Sequence, residues 1–210
     1  SEIANLEEFS KKDLINQMSL FNEVFCQKFL DIKSDDSIND LIEITIDKLY
    51  EHPWVNCHFD FERRNLVLKD SNQLIVIDYQ DMKRGPIGID LAGILADHYF
   101  EADISNIKRF INFYSTKINS KYSDDECFEF TRWGCIQRNL RILGTLSNLF
   151  LQKNRSFRLK DMPLILKNLI TMIPNEHSSK IFLEKNIEPL LLKTIEPVSY
   201  THLRAHETDS

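Results

Sequence analysis

Apolar residues return every three or four positions along most of this chain. Leu14, Met18, Phe21, Phe25 and Phe29 form one such stripe and predict a helix over Asn5 to Asp31. The polar break Ser34-Asp35-Asp36-Ser37 can supply an N-cap. Leu41, Ile42, Ile46 and Leu49 then share one face of a second helix over Ile38 to Tyr50. His52-Pro53 ends it, because the residue before proline is pushed out of the helical region. Helical spacing resumes over Asp90 to Phe100, with Leu91, Ile94 and Leu95 expected to be buried, and over Ile104 to Tyr114. It continues over the long stretch Asp124 to Phe150, where Trp133, Ile136, Leu140, Leu143 and Leu146 are core positions. Asp161 to Met172 and Ser178 to Leu192 complete a helical bundle. The period changes in one region. Asn65 to Leu68 and Leu74 to Ile77 are short β-type runs flanking the turn Lys69-Asp70-Ser71-Asn72. Met82 to Ile89, with Gly85, Pro86 and Gly88, reads as irregular. The fold class is α+β, mostly α, with one small β-hairpin in the bundle.

The hairpin also carries the candidate chemistry. His58, Asp60 and Asn65, spaced H-x-D-x-x-x-x-N, precede its first run, and Asp78 follows its second. A tight turn brings the outer ends of its strands together, so Asp60, Asn65 and Asp78 can converge. Phosphoryl transfer uses such a set. One carboxylate accepts the proton of an acceptor hydroxyl, while an amide oxygen and a second carboxylate hold Mg²⁺ against the nucleotide phosphates. Each residue alone is an ordinary loop residue. The order H-x-D-x-x-x-x-N, hairpin, Asp is more specific, and its spacing matches the protein-kinase catalytic loop and the metal-binding Asp that follows it.

Charge narrows the partners. The net charge is -6 and the pI about 5.5. Nucleic acid calls for a basic surface, so it is not an expected partner. A nucleotide remains open, because Mg²⁺ neutralises its phosphates. Cys26, Cys57, Cys127 and Cys135 show neither a C-x-x-C pair nor zinc spacing, and read as reduced thiols of a cytoplasmic protein. No apolar run reaches the ~18 residues of a membrane span, and no signal peptide is visible.

The stretches His58-Phe59-Asp60-Phe61-Glu62-Arg63-Arg64-Asn65-Leu66, Ile77-Asp78-Tyr79-Gln80-Asp81, Arg84-Gly85-Pro86 and Asp90-Leu91-Ala92 resemble the aminoglycoside phosphotransferase and choline kinase superfamily. Within it they are similar to the bacterial cell-wall amino-sugar kinases, which phosphorylate the anomeric hydroxyl of N-acetylmuramate and N-acetylglucosamine. Gln137 to Gly144 (QRNLRILG) resembles a helix of the same subgroup, and the likeness runs from about Asp13 to Leu192. Phe59 stands where the family usually has Gly or Arg, Glu62 where the subgroup often has His, and Tyr79 where Phe is usual.

The resemblance implies a protein-kinase-like C-terminal lobe that uses ATP and Mg²⁺. Asp60 would be the base, Asn65 and Asp78 the metal and nucleotide ligands, and His58 a structural support. Asp90 would hold the catalytic loop through backbone N–H bonds, and it also reads as the N-cap of its own helix. Glu62 bears on acceptor specificity. Asp81 would reach the second metal shell or the sugar hydroxyls, or else is a solvated turn carboxylate. Arg138 and Arg141 cannot share the face of Leu140. They read as solvated charge, or else as the edge of an acceptor pocket.

Alternatives stay open. The acceptor could be an aminoglycoside, choline or homoserine, and the chain could be a non-catalytic kinase-like binding domain or a metal-dependent phosphohydrolase. No glycine precedes Gly85, and no strand-borne Lys precedes His58. The Gly-rich nucleotide lobe is therefore expected to be missing, leaving residues 1–197 as an inactive lobe with apolar groups near Phe59, Phe61 and Leu68 uncovered. Val198 to Ser210 reads like a sequencing-adapter frame and is expected to be disordered, so its His202 and His206 carry no metal reading.

Overall fold

The computed structural model describes residues 6–69, 73–96, 98–118 and 120–196. The hairpin-turn residues 70–72 and the tail from Val198 lie outside the described residues. The chain forms α1 (Lys11–Leu20, continued as a π-helix over Phe21–Phe29), α2 (Asp36–Glu51), β1 (Trp54–Cys57), β2 (Leu66–Lys69) and β3 (Gln73–Val76). It goes on through β4 (Lys83–Pro86), α3 (Gly88–Leu95), α4 (Ile104–Ile118), α5 (Asp124–Lys153) and α6 (Met162–Met172). The last helix, α7, starts at Ser178–Phe182, widens to a π turn over Leu183–Ile187 and runs on to 196. The π turn precedes Pro189, which has no N–H for a regular helical bond.

Helix α5 is the axis of the bundle. A capping box starts it: the Ser123 hydroxyl accepts from the Glu126 N–H, and the Glu126 carboxylate accepts from the Ser123 N–H. Asn154 in the left-handed conformation ends it. Between them α5 packs on α1, α2, α3, α4 and α6, and buried residues lie on every side of it. Two glycines let its neighbours come close. A Cβ on Gly134 would lie 1.9 Å from the Gly88 carbonyl oxygen of α3, and one on Gly144 would lie 2.5 Å from Leu20 Cβ.

The mostly helical α+β class is observed, with differences in detail. The first helix starts at Lys11, where Ser10 and Asp13 form a second capping box. The stretch Met82 to Ile89, expected to be irregular, contains β4, which pairs antiparallel with β1 in the register Trp54↔Pro86 to Cys57↔Lys83. Gly85 suits this strand because a Cβ there would meet the Phe59 ring at 2.5 Å. Pro86 is tolerated because, among the described residues, its sheet has two strands and Pro86 ends an edge strand. Helix α3 stops at Leu95, short of the expected Phe100. The buried amide of Asn168 binds the Phe100 carbonyl and the Ala102 N–H, each at 2.7 Å, and ties that backbone down in a non-helical path. Leu91 is buried, whereas Ile94 and Leu95 are half-buried. All four cysteines are free and buried. Among the described residues, no helix is long and apolar enough to cross a membrane.

Gly134→Ala tests the close crossing of α3 and α5. Helix propensity alone would favour alanine by up to about 1 kcal/mol. The backbone carbonyl 1.9 Å from the new Cβ cannot rotate away, so overpacking wins. Urea unfolding of the purified chain should show a net loss of about 1–3 kcal/mol.

Candidate active site

The hairpin register builds the site. Leu66 pairs with Val76, and one residue further out the Ile77 N–H donates to the Asn65 carbonyl at 3.0 Å. This places Asn65 and Asp78 at the same mouth of the hairpin. His58 reaches the same point, with its Nε2 2.9 Å from the Ile77 carbonyl oxygen. The Asp60 N–H donates to His58 Nδ1 at 3.3 Å, so Nε2 carries the ring proton and donates it to Ile77. Asn65 closes the set, its Nδ2 donating to the Asp60 carbonyl at 2.8 Å and to Asp60 Oδ2 at 3.1 Å. Asp60, Asn65 and Asp78 are thus linked through a few hydrogen bonds.

Asp90 holds the loop from below. Its Oδ2 accepts from the His58 N–H at 2.6 Å and its Oδ1 from the Phe59 N–H at 2.8 Å. It sits inside the first turn of α3 and does not cap that helix, contrary to the expected N-cap role. Both of its oxygens are taken by the loop. Burial raises the Asp90 carboxyl above the usual range against the opposing effect of these two donors. The second donor, Phe59, is in the left-handed region at φ 64°. This is a conformation that glycine adopts more readily than phenylalanine. Here the strain, of order 1–3 kcal/mol, is offset by ring packing: the Phe59 ring lies tilted 4.5 Å from that of Phe9 and covers Gly85.

A buried ion network surrounds Asp60. Its carboxylate lies 2.8 Å from the Arg64 guanidinium and 3.6 Å from that of Arg138. Burial pushes the Asp60 carboxyl up, but Arg64, Arg138 and Asn65 outweigh it and hold the carboxyl below its usual 3.8. Glu62 is fully buried and is paired with Arg64 and Arg138, with His98 at 3.7 Å. Its carboxylate is thus turned away from solvent, into the ion network behind Asp60. Arg138 is 2% exposed, which corrects the reading as solvated charge. The i, i+1 rule does turn it away from Leu140, but α5 has no solvated face at that level.

Asp78 is exposed, at φ 64°, with Oδ1 accepting from Gln80 Nε2 at 2.9 Å. Asn65 spends only its NH₂ on Asp60, and its Oδ1 accepts nothing from the described residues. Two hard oxygen donors therefore stand at the hairpin mouth. Among the described residues no group of three or more His, Cys, Asp or Glu gathers as a metal cage. Mg²⁺ needs none, since it keeps several waters and takes one or two protein oxygens beside substrate phosphates. The residues present fit that ion.

A cleft of about 360 Å³ borders the loop, lined by Phe59, Asp81, Lys83, Gln137 and Arg141 with residues of α1. Asp81 is exposed and Arg141 half-buried. Gln137, to which the sequence reading gave no role of its own, is 1% exposed and donates from Nε2 to Gln17 Oε1 at 2.8 Å. A larger cavity of about 690 Å³ lies against α1 and α2 and includes no residue of the loop or hairpin. Phe59 and Phe61 are half-buried, unlike the uncovered patch expected of them, whereas Leu68 and Leu74 on the hairpin are 65% and 58% exposed.

Residues 23–125 match the model of the phosphotransferase enzyme family. The chain is also 27% identical over 173 residues to the N-acetylmuramate/N-acetylglucosamine kinase of Neisseria meningitidis serogroup B, which covers 78% of this chain and 52% of that relative. It thus spans about half the length of the curated relative it matches. The catalytic-type loop, the hairpin and Asp90 all lie inside the matched stretch, so the part of the chain that carries the candidate site is similar to the phosphotransferase enzyme family.

Proposed function

We propose that the protein carrying this chain transfers the γ-phosphate of ATP to a hydroxyl of a small molecule, at the anomeric position of an amino sugar. The observation that carries this reading is the meeting of Asp60, Asn65 and Asp78 at one hairpin mouth through Asn65 and Ile77. The choice of acceptor is supported by the amino-sugar kinase to which the chain is similar. The chain acts as the helical lobe of a protein-kinase-like fold, and the apolar outer face of the hairpin at Leu68 and Leu74 meets the nucleotide-binding part of the enzyme.

Asp60 accepts the proton of the attacking hydroxyl. Arg64 and Arg138 keep it ionised and hold its orientation. Asn65 Oδ1 and the Asp78 carboxylate would hold Mg²⁺. That ion neutralises charge on the transferring phosphate. His58 and Asp90 position the loop and take no proton from the substrate.

In the enzyme that carries this chain, Asp60→Asn should lower kcat by roughly 10²–10⁴-fold with nucleotide affinity retained. Asp78→Ala should weaken Mg²⁺-dependent nucleotide binding, read by titration with and without the ion. Equal affinities and equal residual rates in the two variants would refute these roles.

The buried network yields a stability prediction. Glu62→Ala leaves the Arg138 guanidinium buried without its main partner and should cost about 3–5 kcal/mol in urea unfolding. Adding Arg138→Met should recover much of that loss, because the stranded charge is then gone.

Asp60 yields a pH prediction. Its folded value is depressed, so the folded chain binds fewer protons there than the unfolded chain. The stability this contributes is present above the unfolded value near 3.8 and is lost as pH falls through the lower folded value. The stability advantage of the wild type over Asp60→Asn should shrink as pH drops below about 4.

A further inference from the structure

We propose that the cleft beside the catalytic loop selects an acceptor that carries a carboxylate, and that Arg141 is the residue that binds it. This rests on the amino-sugar reading above. It separates the two sugars in the relative's name, because N-acetylmuramate differs from N-acetylglucosamine by a lactyl ether that ends in a carboxylate.

The charges around the cleft lead to Arg141. Of the two cations lining it, Lys83 lies 3.3 Å from Glu7. Arg141 has no carboxylate of the described residues within ion-pairing distance. The acids whose charge reaches it, Asp60 and Glu62, are already paired with Arg64 and Arg138. Burial, with the repulsion of Arg138, lowers Arg141 to about 10, so it stays cationic at neutral pH. Arg141 is thus a half-buried guanidinium whose attracting acids, Asp60 and Glu62, are shared with Arg64 and Arg138, which leaves it, among the described residues, able to pair with a carboxylate that a ligand brings. Its planar fork suits a carboxylate held by two parallel hydrogen bonds.

An independent observation comes from Gln137 in the same cleft. Its Nε2 is committed to Gln17, but its Oε1 is buried and accepts no hydrogen bond. A buried acceptor left unmatched is unfavourable, which a hydroxyl or acetamido N–H of a bound sugar would relieve. Asp81 supplies a further acceptor for sugar hydroxyls, and the Phe59 ring an apolar wall for the C–H face of a pyranose. The cleft volume of about 360 Å³ falls at the small end of ligand sites. Three features therefore match one ligand: an unpaired cation for a carboxylate, an unmatched carbonyl oxygen for a donor, and an aromatic wall for a ring.

The test uses the 210-residue chain and direct binding by calorimetry or NMR titration, which needs no turnover. N-acetylmuramate should bind roughly ten- to a hundredfold tighter than N-acetylglucosamine, the range of a charge-assisted contact. N-acetylmuramate methyl ester, which lacks the charge, should lose that advantage. Arg141→Gln should bring the ratio of the two affinities toward one, and Arg141→Lys should keep part of it. The ester comparison decides the matter even if a variant fails to fold. Equal binding of the two sugars, an ester as tight as the acid, or an unchanged ratio in Arg141→Gln would overturn the inference and leave the amino-sugar reading standing. Binding of neither sugar to the folded chain would overturn both.

Discussion

The buried pair of Glu62 and Arg138 joins the catalytic-type loop to the axis of the bundle. Glu62 sits in the turn between Asp60 and Asn65, and Arg138 projects from the middle of α5. Both are almost wholly removed from water. Two such charges tolerate burial only when each satisfies the other with good geometry. The loop is therefore locked to α5 at the point where Asp60 must be held. Arg138 also lies against Asp60, and Arg64 bridges Asp60 and Glu62, so one network sets both the orientation and the charge of the proposed base.

Around that lock the backbone is strained at two residues of the proposed site. Phe59 and Asp78 both adopt left-handed conformations. The first is stabilised by two hydrogen bonds around Asp90 and by ring packing on Phe9. The second presents an exposed carboxylate beside an amide oxygen whose NH₂ is already engaged. Strain of this kind persists only where surrounding contacts over-determine it. Here they come from α3, from β3 and from the His58 ring, whose tautomer is set by the Asp60 N–H. Close approach of α3 to α5 at Gly88 and Gly134 lets Asp90 reach the loop.

The sequence by itself determined the elements that depend on local periodicity. The helices around Leu14 to Phe29, Leu41 to Leu49 and Trp133 to Leu146 follow their apolar stripes. The hairpin follows two short β-type runs, and the order His58, Asp60, Asn65, Asp78 followed from spacing on either side of it. These are signals within a few residues, and the chain's own stereochemistry reads them. What tertiary structure decided lies at longer range. Residues 83–86 became a strand because β1, about 30 positions earlier in the sequence, offered unpaired backbone groups. Arg138 became a buried counter-ion because Glu62, 76 positions away, packed against it. Gln137 and Arg141 came to line one cleft because α1 and the loop close against that side of α5. No local pattern distinguishes a solvated arginine from a buried one. That difference depends on which charge the folded chain brings within reach, because burial of a charge is tolerable only with a partner.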